Sequence, residues 1–339
     1  MDTIHEILAG SKNVLITSHL NPDPDAICSS LGMLDYILKT YPNKNVECLL
    51  NGTKLESYNT FKNYDRIKWV NELTDNLERF DTIVFVDASD LTRFTEVPER
   101  LDLTKFKTIC IDHHKNTVAN FNVSIVETSE PSASQIIYKY FFKGKSILER
   151  YIAEIFLVGI LSDTGMLKFV RESSLHTFDY VKELIEISDL DLGQVEQKYF
   201  TFSLTDWEII QELTRNIVKV DDFKFPFIYS YLPMEYIRKY PANITKQGKA
   251  KFLMLFGTSI QGYSWGFVAT PGDNNFMNIS FRSTPGSVNV RLIANEFGGG
   301  GHDLASGGEI TINSGESSEA VSKRIADNIK NLTIETVNI

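Results

Sequence analysis

The chain has 339 residues, 42% of them hydrophobic and 23% charged, with a formal net charge of −10. That length predicts two domains, each able to bury its own core. The acidic balance excludes a broad duplex-DNA footprint but not a small anionic substrate, because a local cationic pocket or bound metal ions can hold phosphate inside an acidic protein.

No run of 18 apolar residues occurs and the N-terminus lacks the basic-then-apolar order of a signal peptide, so a cytoplasmic protein with no membrane partner is expected. Cys28, Cys48 and Cys110 show no CxxC spacing and sit in or beside apolar runs, which reads as reduced core thiols.

Ile4, Ile7 and Leu8 mark a short helix that Gly10 can end. Val14-Leu15-Ile16 then reads as a buried parallel strand breaking into Ser18-His19-Leu20-Asn21-Pro22-Asp23-Pro24-Asp25-Ala26. One reading is an Asx-rich turn with Asp25 as N-cap and His19 incidental. The other is a ligand loop at the carboxyl end of a strand, where open α/β sheets place their chemistry. Two residues apart on an extended loop, Asp23 and Asp25 are expected to point the same way and to repel unless a cation lies between them.

A helix over Ala26 to Lys39 and a strand over Val46 to Leu50 follow, the strand ending at the Asn51-Gly52 turn. A helix is expected near Glu72 to Phe80. Asp81-Thr82-Ile83-Val84-Phe85-Val86-Asp87 is a strand buried on both faces, and the carboxylate that closes it needs a cationic partner. The strand Thr108 to Ile111 runs into Asp112-His113-His114. On an extended backbone adjacent histidines point to opposite sides, so one is assigned to metal and the other to substrate.

Asn122 to Glu127 is a strand and Pro131 to Phe142 a helix. Leu148 to Leu161 is a second helix, running into Ser162-Asp163-Thr164-Gly165. Leu175 to Ile187 reads as a helix and Asp189 to Glu196 as a break. A largely helical connector with Trp207, Ile209, Ile210 and Leu213 reaches about Val220.

Beyond it, Phe225 to Leu232, Tyr263 to Ala269 and Met277 to Arg282 read as strands and Val290 to Phe297 as a helix, followed by Gly298-Gly299-Gly300-Gly301-His302. Four glycines exceed the need of a helix C-cap. They make either a flexible hinge or backbone that approaches a phosphate closely, with Arg282 and His302 directed into the same space.

The expected fold is α/β: an N-terminal, mostly parallel sheet with flanking helices (1–190), a helical linker (191–222) and a smaller C-terminal α/β domain (223–339). His19, Asp23, Asp25, Asp87, His113 and Asp163 form an oxygen-and-nitrogen donor set without thiolate. Such a set suits Mn²⁺ or Mg²⁺ better than structural zinc, and it is too rich in carboxylates for one ion. Two ions roughly 3.5–4 Å apart form an arrangement for in-line attack of water on phosphorus. Asp112, behind His113, can orient an imidazole.

The order His-x-x-x-Asp-x-Asp-Ala, strand-Asp, Asp-His-His, Asp-Thr-Gly and Gly-Gly-Gly-Gly-His resembles the DHH phosphoesterase family. It is most similar to the nano-RNase type, which joins a DHH domain to a DHH-associated domain. The resemblance implies one ion at His19, Asp23 and Asp87 and another at Asp25, Asp87, His113 and Asp163, with Asp87 bridging. It implies catalytic roles for Asp87, His113 and His114, the last touching the scissile phosphate. Arg282, Gly299, Gly300 and His302 would hold the nucleotide from the second domain, with the substrate in a cleft between domains.

Manganese is the usual ion of the family, magnesium the alternative. The implied substrates are short single-stranded RNA or DNA oligonucleotides and small phosphorylated nucleotides such as 3′-phosphoadenosine 5′-phosphate, and the implied assembly is a homodimer. A cyclic-dinucleotide or linear-dinucleotide phosphodiesterase and a non-catalytic nucleotide-binding protein are the alternatives. A pyrophosphatase is disfavoured by the glycine cluster and by Ser280-Phe281-Arg282-Ser283. The chain departs from the family pattern at Cys28, where relatives commonly have Gly, and Pro24 stiffens the loop between the two aspartates.

Overall fold

The computed structural model describes every residue except 116–118, 241, 257, 273, 274, 338 and 339. The chain divides into two units, Met1–Thr201 and Phe202–Ile339.

The first unit opens with helix α1 (Asp2–Gly10) and strand β1 (Asn13–Ser18). Helix α2 (Pro24–Thr40) is capped by Asp23, whose side chain accepts from the Ala26 N–H at 3.0 Å, with Pro24 in the first turn where a missing N–H costs nothing. Strands β2 (Asn45–Asn51), β3 (Ile67–Val70), β4 (Thr82–Val86), β5 (Lys107–Asp112) and β6 (Val123–Val126) follow. All pair in parallel in the order β3-β2-β1-β4-β5-β6. Successive strands run one way from β1 and the other way from β4, so the topological switch point lies between these two strands.

One face of this sheet packs against α2, α3 (Ala133–Ile137, continued as a π turn over Tyr138–Phe142), α4 (Arg150–Asp163), α5 (Thr177–Ser188) and α6 (Leu192–Tyr199). The opposite face takes Leu15, Ile83, Phe85 and Cys110 against Leu73, Leu77, Phe94 and Leu101. That side is covered by short 3₁₀ turns, so the helix expected over Glu72 to Phe80 shrinks to a turn at Leu77–Arg79. Asn76 just ahead of it is left-handed at φ 60°, which interrupts a helix.

The expected break at Asp189 to Glu196 is instead the junction of two helices. Asp189 ends α5 in the left-handed conformation at φ 57°, and Asp191 caps α6 in a reciprocal box with Gln194. Within the stretch read as a helical linker, Val195 and Tyr199 join the core of the first unit. Helix α7 (Leu204–Arg215) instead packs Ile209, Ile210 and Leu213 in the second.

The second unit holds β7 (Val218–Val220), β8 (Phe227–Tyr231), α8 (Glu235–Lys239), α9 (Ala242–Phe256), β9 (Trp265–Pro271) and β10 (Phe276–Ser283). It continues with α10 (Val290–Glu296), β11 (Gly300–His302), β12 (Ala305–Thr311) and α11 (Ser318–Lys330). Its sheet runs β11-β12-β10-β9-β8-β7, antiparallel except for the β8–β9 pair. Helices α10 and α11 cover one face and α7 with α9 the other. Among the described residues, no helix is long and apolar enough to cross a membrane.

Candidate metal centre

The ends of β1 and β4 meet at the switch point. His19 directly follows β1, and its Nδ1 bonds the Leu20 carbonyl at 2.9 Å. This bond fixes the ring so that Nε2 faces Asp23 at 3.7 Å and Asp87 at 3.4 Å. The loop is pinned from both sides, by the Leu20 N–H on the Arg93 carbonyl at 2.6 Å and the Asn21 N–H on the Asn51 carbonyl at 2.8 Å. Asp87 leaves β4 at φ 60°, an uncommon conformation for a non-glycine residue. It is 1% exposed, with one carboxylate oxygen toward His19 and the other 3.2 Å from His113 Nε2.

A second group lies on the β5 side of Asp87. His113 Nε2 is 3.2 Å from Asp163, the last residue of α4. Asp25, fully buried in the first turn of α2, completes the set of Asp25, His113 and Asp163. Its two oxygens accept the N–H groups of Ala133 at 2.7 Å and Ser134 at 3.0 Å.

Asp23 and Asp25 therefore do not point the same way. The helix starts at Pro24, and two residues of helix turn a side chain by about 200°. Asp23 joins the His19 group and Asp25 the His113 group. Asp25 as N-cap is likewise overturned, since Asp23 holds that position.

The histidine pair also differs from expectation. β5 ends at Asp112, so the two rings stand on a turn rather than on alternating strand positions. Their centroids are 4.3 Å apart, and His114 Nδ1 approaches Asp87 at 3.7 Å. Asp87, His113 and His114 thus form a third set whose ligand atoms lie within 4.8 Å of one another, beside His19–Asp23–Asp87 and Asp25–His113–Asp163. Asp112 orients His114 rather than His113. One of its oxygens takes His114 Nδ1 at 2.8 Å together with the backbone N–H groups of His113 and His114.

So many acids in one buried space shift one another. Burial alone would lower His19, but the carboxylates of Asp23 and Asp87 outweigh it and push the imidazole up to about 10. Against the same burial, Asp163 and Asp87 raise His113 well above the usual range. Burial and the charges of Asp87 and Asp163 hold Asp25 far above the carboxylate range. Asp163 rises to about 6 by burial and the nearby acids Asp23 and Asp87, against the pull of His113.

The buried atoms His19 Nε2, His113 Nε2 and both Asp87 oxygens have no hydrogen-bond partner. Buried polar groups are rarely left so. Oxygen and imidazole donors aimed at one another across 3.2–3.7 Å fit divalent cations between them, which would satisfy all four atoms. The donor set can hold divalent cations.

In the second unit, Arg282 on β10 and His302 on β11 both lie opposite Ala305 of β12. Residues directly across antiparallel strands project from one face, so Arg282 and His302 share a face about 9.5 Å apart. The glycines before His302 have separate structural tasks. Gly298 ends α10 at φ 67°. A Cβ on Gly299 would lie 1.9 Å from the Gly307 carbonyl oxygen, whereas one on Gly300 would meet nothing closer than Asn295 Oδ1 at 3.9 Å. They run into an edge strand and not a hinge.

Sequence reading missed the Ala133 and Ser134 N–H clamp on Asp25. The signal available was the small-residue run Ser132-Ala133-Ser134 at the start of α3. Cys28, the departure from the family pattern, packs where Gly159 of α4 carries no side chain. A Cβ there would lie 2.9 Å from Cys28 Cβ and 2.2 Å from Ser134 Oγ.

Residues 13–160 match the N-terminal domain of the DHH family, and residues 226–331 match the DHHA1 domain. The bifunctional oligoribonuclease and PAP phosphatase NrnA of Bacillus subtilis strain 168 is 26% identical over 316 residues, covering 88% of this chain and 89% of that protein. A protein of Lactococcus lactis named a probable manganese-dependent inorganic pyrophosphatase is 32% identical over 193 residues, covering 54% of this chain and 58% of its own. Among solved structures, an exopolyphosphatase-related protein from Bacteroides fragilis shares the fold, with a TM-score of 0.80 at 22% identity over 97% of this chain and 96% of that one.

Proposed function

Because the chain belongs to the DHH family and carries a DHHA1 domain besides, we propose that it is a metal-dependent phosphoesterase hydrolysing short oligoribonucleotides and 3′-phosphoadenosine 5′-phosphate. The observation that carries this reading is Asp87, buried and turned so that each carboxylate oxygen faces a different imidazole. His19, Asp23 and Asp87 would hold one cation, and Asp25, Asp87, His113 and Asp163 the other. When bound, such a pair lowers the pKa of water and neutralises charge on phosphoryl oxygens.

The remaining work belongs to the chain's own side chains. Asp112 holds His114 by Nδ1, which directs its other nitrogen to a phosphate oxygen. Asp25, kept in place by two backbone N–H groups, stops the α2 end of the site from moving. Arg282, His302 and the backbone at Gly299 and Gly300 would bind the nucleotide. Manganese is favoured over magnesium by the nitrogen donors and by the name of the Lactococcus relative. A homodimer, which sedimentation would reveal, and a cytoplasmic location, in keeping with three buried free cysteines, complete the reading.

The test is turnover of a diribonucleotide, 3′-phosphoadenosine 5′-phosphate, a cyclic dinucleotide and pyrophosphate, each with manganese and with magnesium. Release of mononucleotide from the first and phosphate from the second is expected. Preference for the cyclic dinucleotide or pyrophosphate would replace the reading. Metal binding without turnover of any of the four would make the chain a nucleotide-binding protein.

A further inference from the structure

The segment immediately after Asp163 combines features that the metal centre does not use. Gly165, Met166 and Leu167 are successively left-handed, with φ of 55°, 57° and 70°. For Met166 and Leu167 this backbone is disfavoured and persists only where surrounding bonds enforce it. Those bonds are present. The Met166 N–H reaches the Leu161 carbonyl at 2.8 Å, the Leu167 N–H the Thr164 hydroxyl at 3.1 Å, and the Phe169 N–H the Thr164 carbonyl at 2.9 Å.

This tight turn brings the Phe169 ring onto Gly165, where a Cβ would lie 2.3 Å from a ring carbon. The ring is fixed against backbone and yet 67% exposed. Gly165 is two residues from Asp163, so their Cα atoms are at most about 7.6 Å apart. Lys168 and Arg171 lie on either side of Phe169 in the sequence and are exposed. From Thr164 to Arg171 the chain carries these two cations and no acid, on a protein of net charge −10. Among the described residues, neither cation forms an ion pair.

An exposed aromatic ring held rigidly, with unpaired cations one and two residues from it in sequence, is the chemistry that binds a single nucleic-acid strand, bases on the ring and phosphates on the charges. We propose that the turn from Gly165 to Arg171 is a strand-binding platform. In it, Phe169 stacks a base of the oligonucleotide next to the reacting phosphate, and Lys168 with Arg171 pairs with the phosphates beyond. This rests on the oligonucleotide reading above and extends it: substrates longer than a mononucleotide gain affinity from residues of the first unit itself.

The experiment measures binding without catalysis, by fluorescence anisotropy of a labelled triribonucleotide and of an abasic analogue, in EDTA. Phe169→Ala is expected to weaken the triribonucleotide about fivefold or more and the abasic probe little, with Phe169→Tyr restoring affinity. Replacing Lys168 and Arg171 by Ala should flatten the dependence of log Kd on log salt by roughly 0.7 per cation removed.

Equal affinity of wild type and Phe169→Ala for the triribonucleotide would overturn the proposal, as would equal losses on both probes or no binding by the wild type. Leu175 and Phe178 are also exposed. A lower sedimentation coefficient for Phe169→Ala, with unchanged RNA affinity, would assign the ring to self-association instead. Hydrolysis of an unlabelled diribonucleotide by the metal-loaded wild type reports separately on the function itself.

Discussion

The two units bury charge very differently. Among the described residues, His19, Asp25, Asp35, Asp87, Asp112 and Glu130 are buried in the first unit, whereas the second buries only Asp206 of its acids. Asp206 is neutralised by Lys251 at 2.6 Å, and in the first unit Lys39 does the same for Asp35 and Lys139 for Glu130. Among the described residues, the acids at the switch point form no ion pair with a lysine or arginine; the only charged partners they meet are imidazoles, beside backbone N–H groups. Burying charge is costly unless it is compensated. One unit therefore gathers buried acids and imidazoles that could hold cations, while the other pairs its buried acid with a lysine of its own.

The sharpest way to break this contrast is Asp87→Ala. If one carboxylate serves both groups, its removal takes away several kcal/mol of transition-state stabilisation, a loss on the order of 10³-fold or more in kcat/KM. A near-normal rate would mean the two groups do not cooperate. Asp112→Asn keeps the shape but weakens the hold on His114, so a fall of roughly 10–100-fold with metal binding largely intact is expected. Equal loss of metal would make Asp112 part of the cation site.

Saturating metal at about 100 times its Kd should stabilise the first unit by about 2.7 kcal/mol. Hydrogen exchange should then slow at the ends of β1, β4 and β5 and stay constant in β9 and β10. Uniform protection across both units would erase the contrast.

Arg282→Ala should raise KM for nucleotide by an amount equivalent to about 1.5–3 kcal/mol, with metal affinity unchanged. Loss of metal would instead place Arg282 in the chemistry.

The pH dependence sharpens the same point. Metal-free, His19 (about 10) and Asp163 (about 6) are raised groups. They bind more protons folded than unfolded, so their stabilisation is full at low pH. It fades between about 4 and 6 for Asp163 and between about 6.5 and 10 for His19. Cations must displace these protons, so metal affinity should climb across the same windows and the metal-bound protein should resist the alkaline loss. Calorimetry in buffers of different ionisation heat reads the released protons; none released would contradict the assignment.

Much of the first unit was legible because its parallel strands are buried on both faces. Val14-Leu15-Ile16 and Ile83-Val84-Phe85-Val86 are uninterrupted apolar runs, and a His or Asp directly after such a run stands out. Directions of side chains were not legible. Whether Asp23 and Asp25 diverge depends on where α2 starts, and whether His113 and His114 converge depends on β5 stopping at Asp112. Sequence patterns locate such boundaries only to within a few residues.

Residues that break one helix and cap the next, as Asp189 and Asp191 do, also look alike in sequence. In the second unit the glycines read as one feature, yet Gly298 ends a helix and Gly299 clears the Gly307 carbonyl. That distinction needs the β12 partner, which lies six to eight residues further on.

The central claim is that Asp87 joins two cations in one buried site. Electron paramagnetic resonance of the manganese-loaded protein, with the metal content measured on the same sample, tests it most directly. Two ions per chain with an exchange-coupled spectrum, both lost in Asp87→Ala, is the predicted result. One ion per chain, or two that show only the spectrum of isolated manganese, would contradict it.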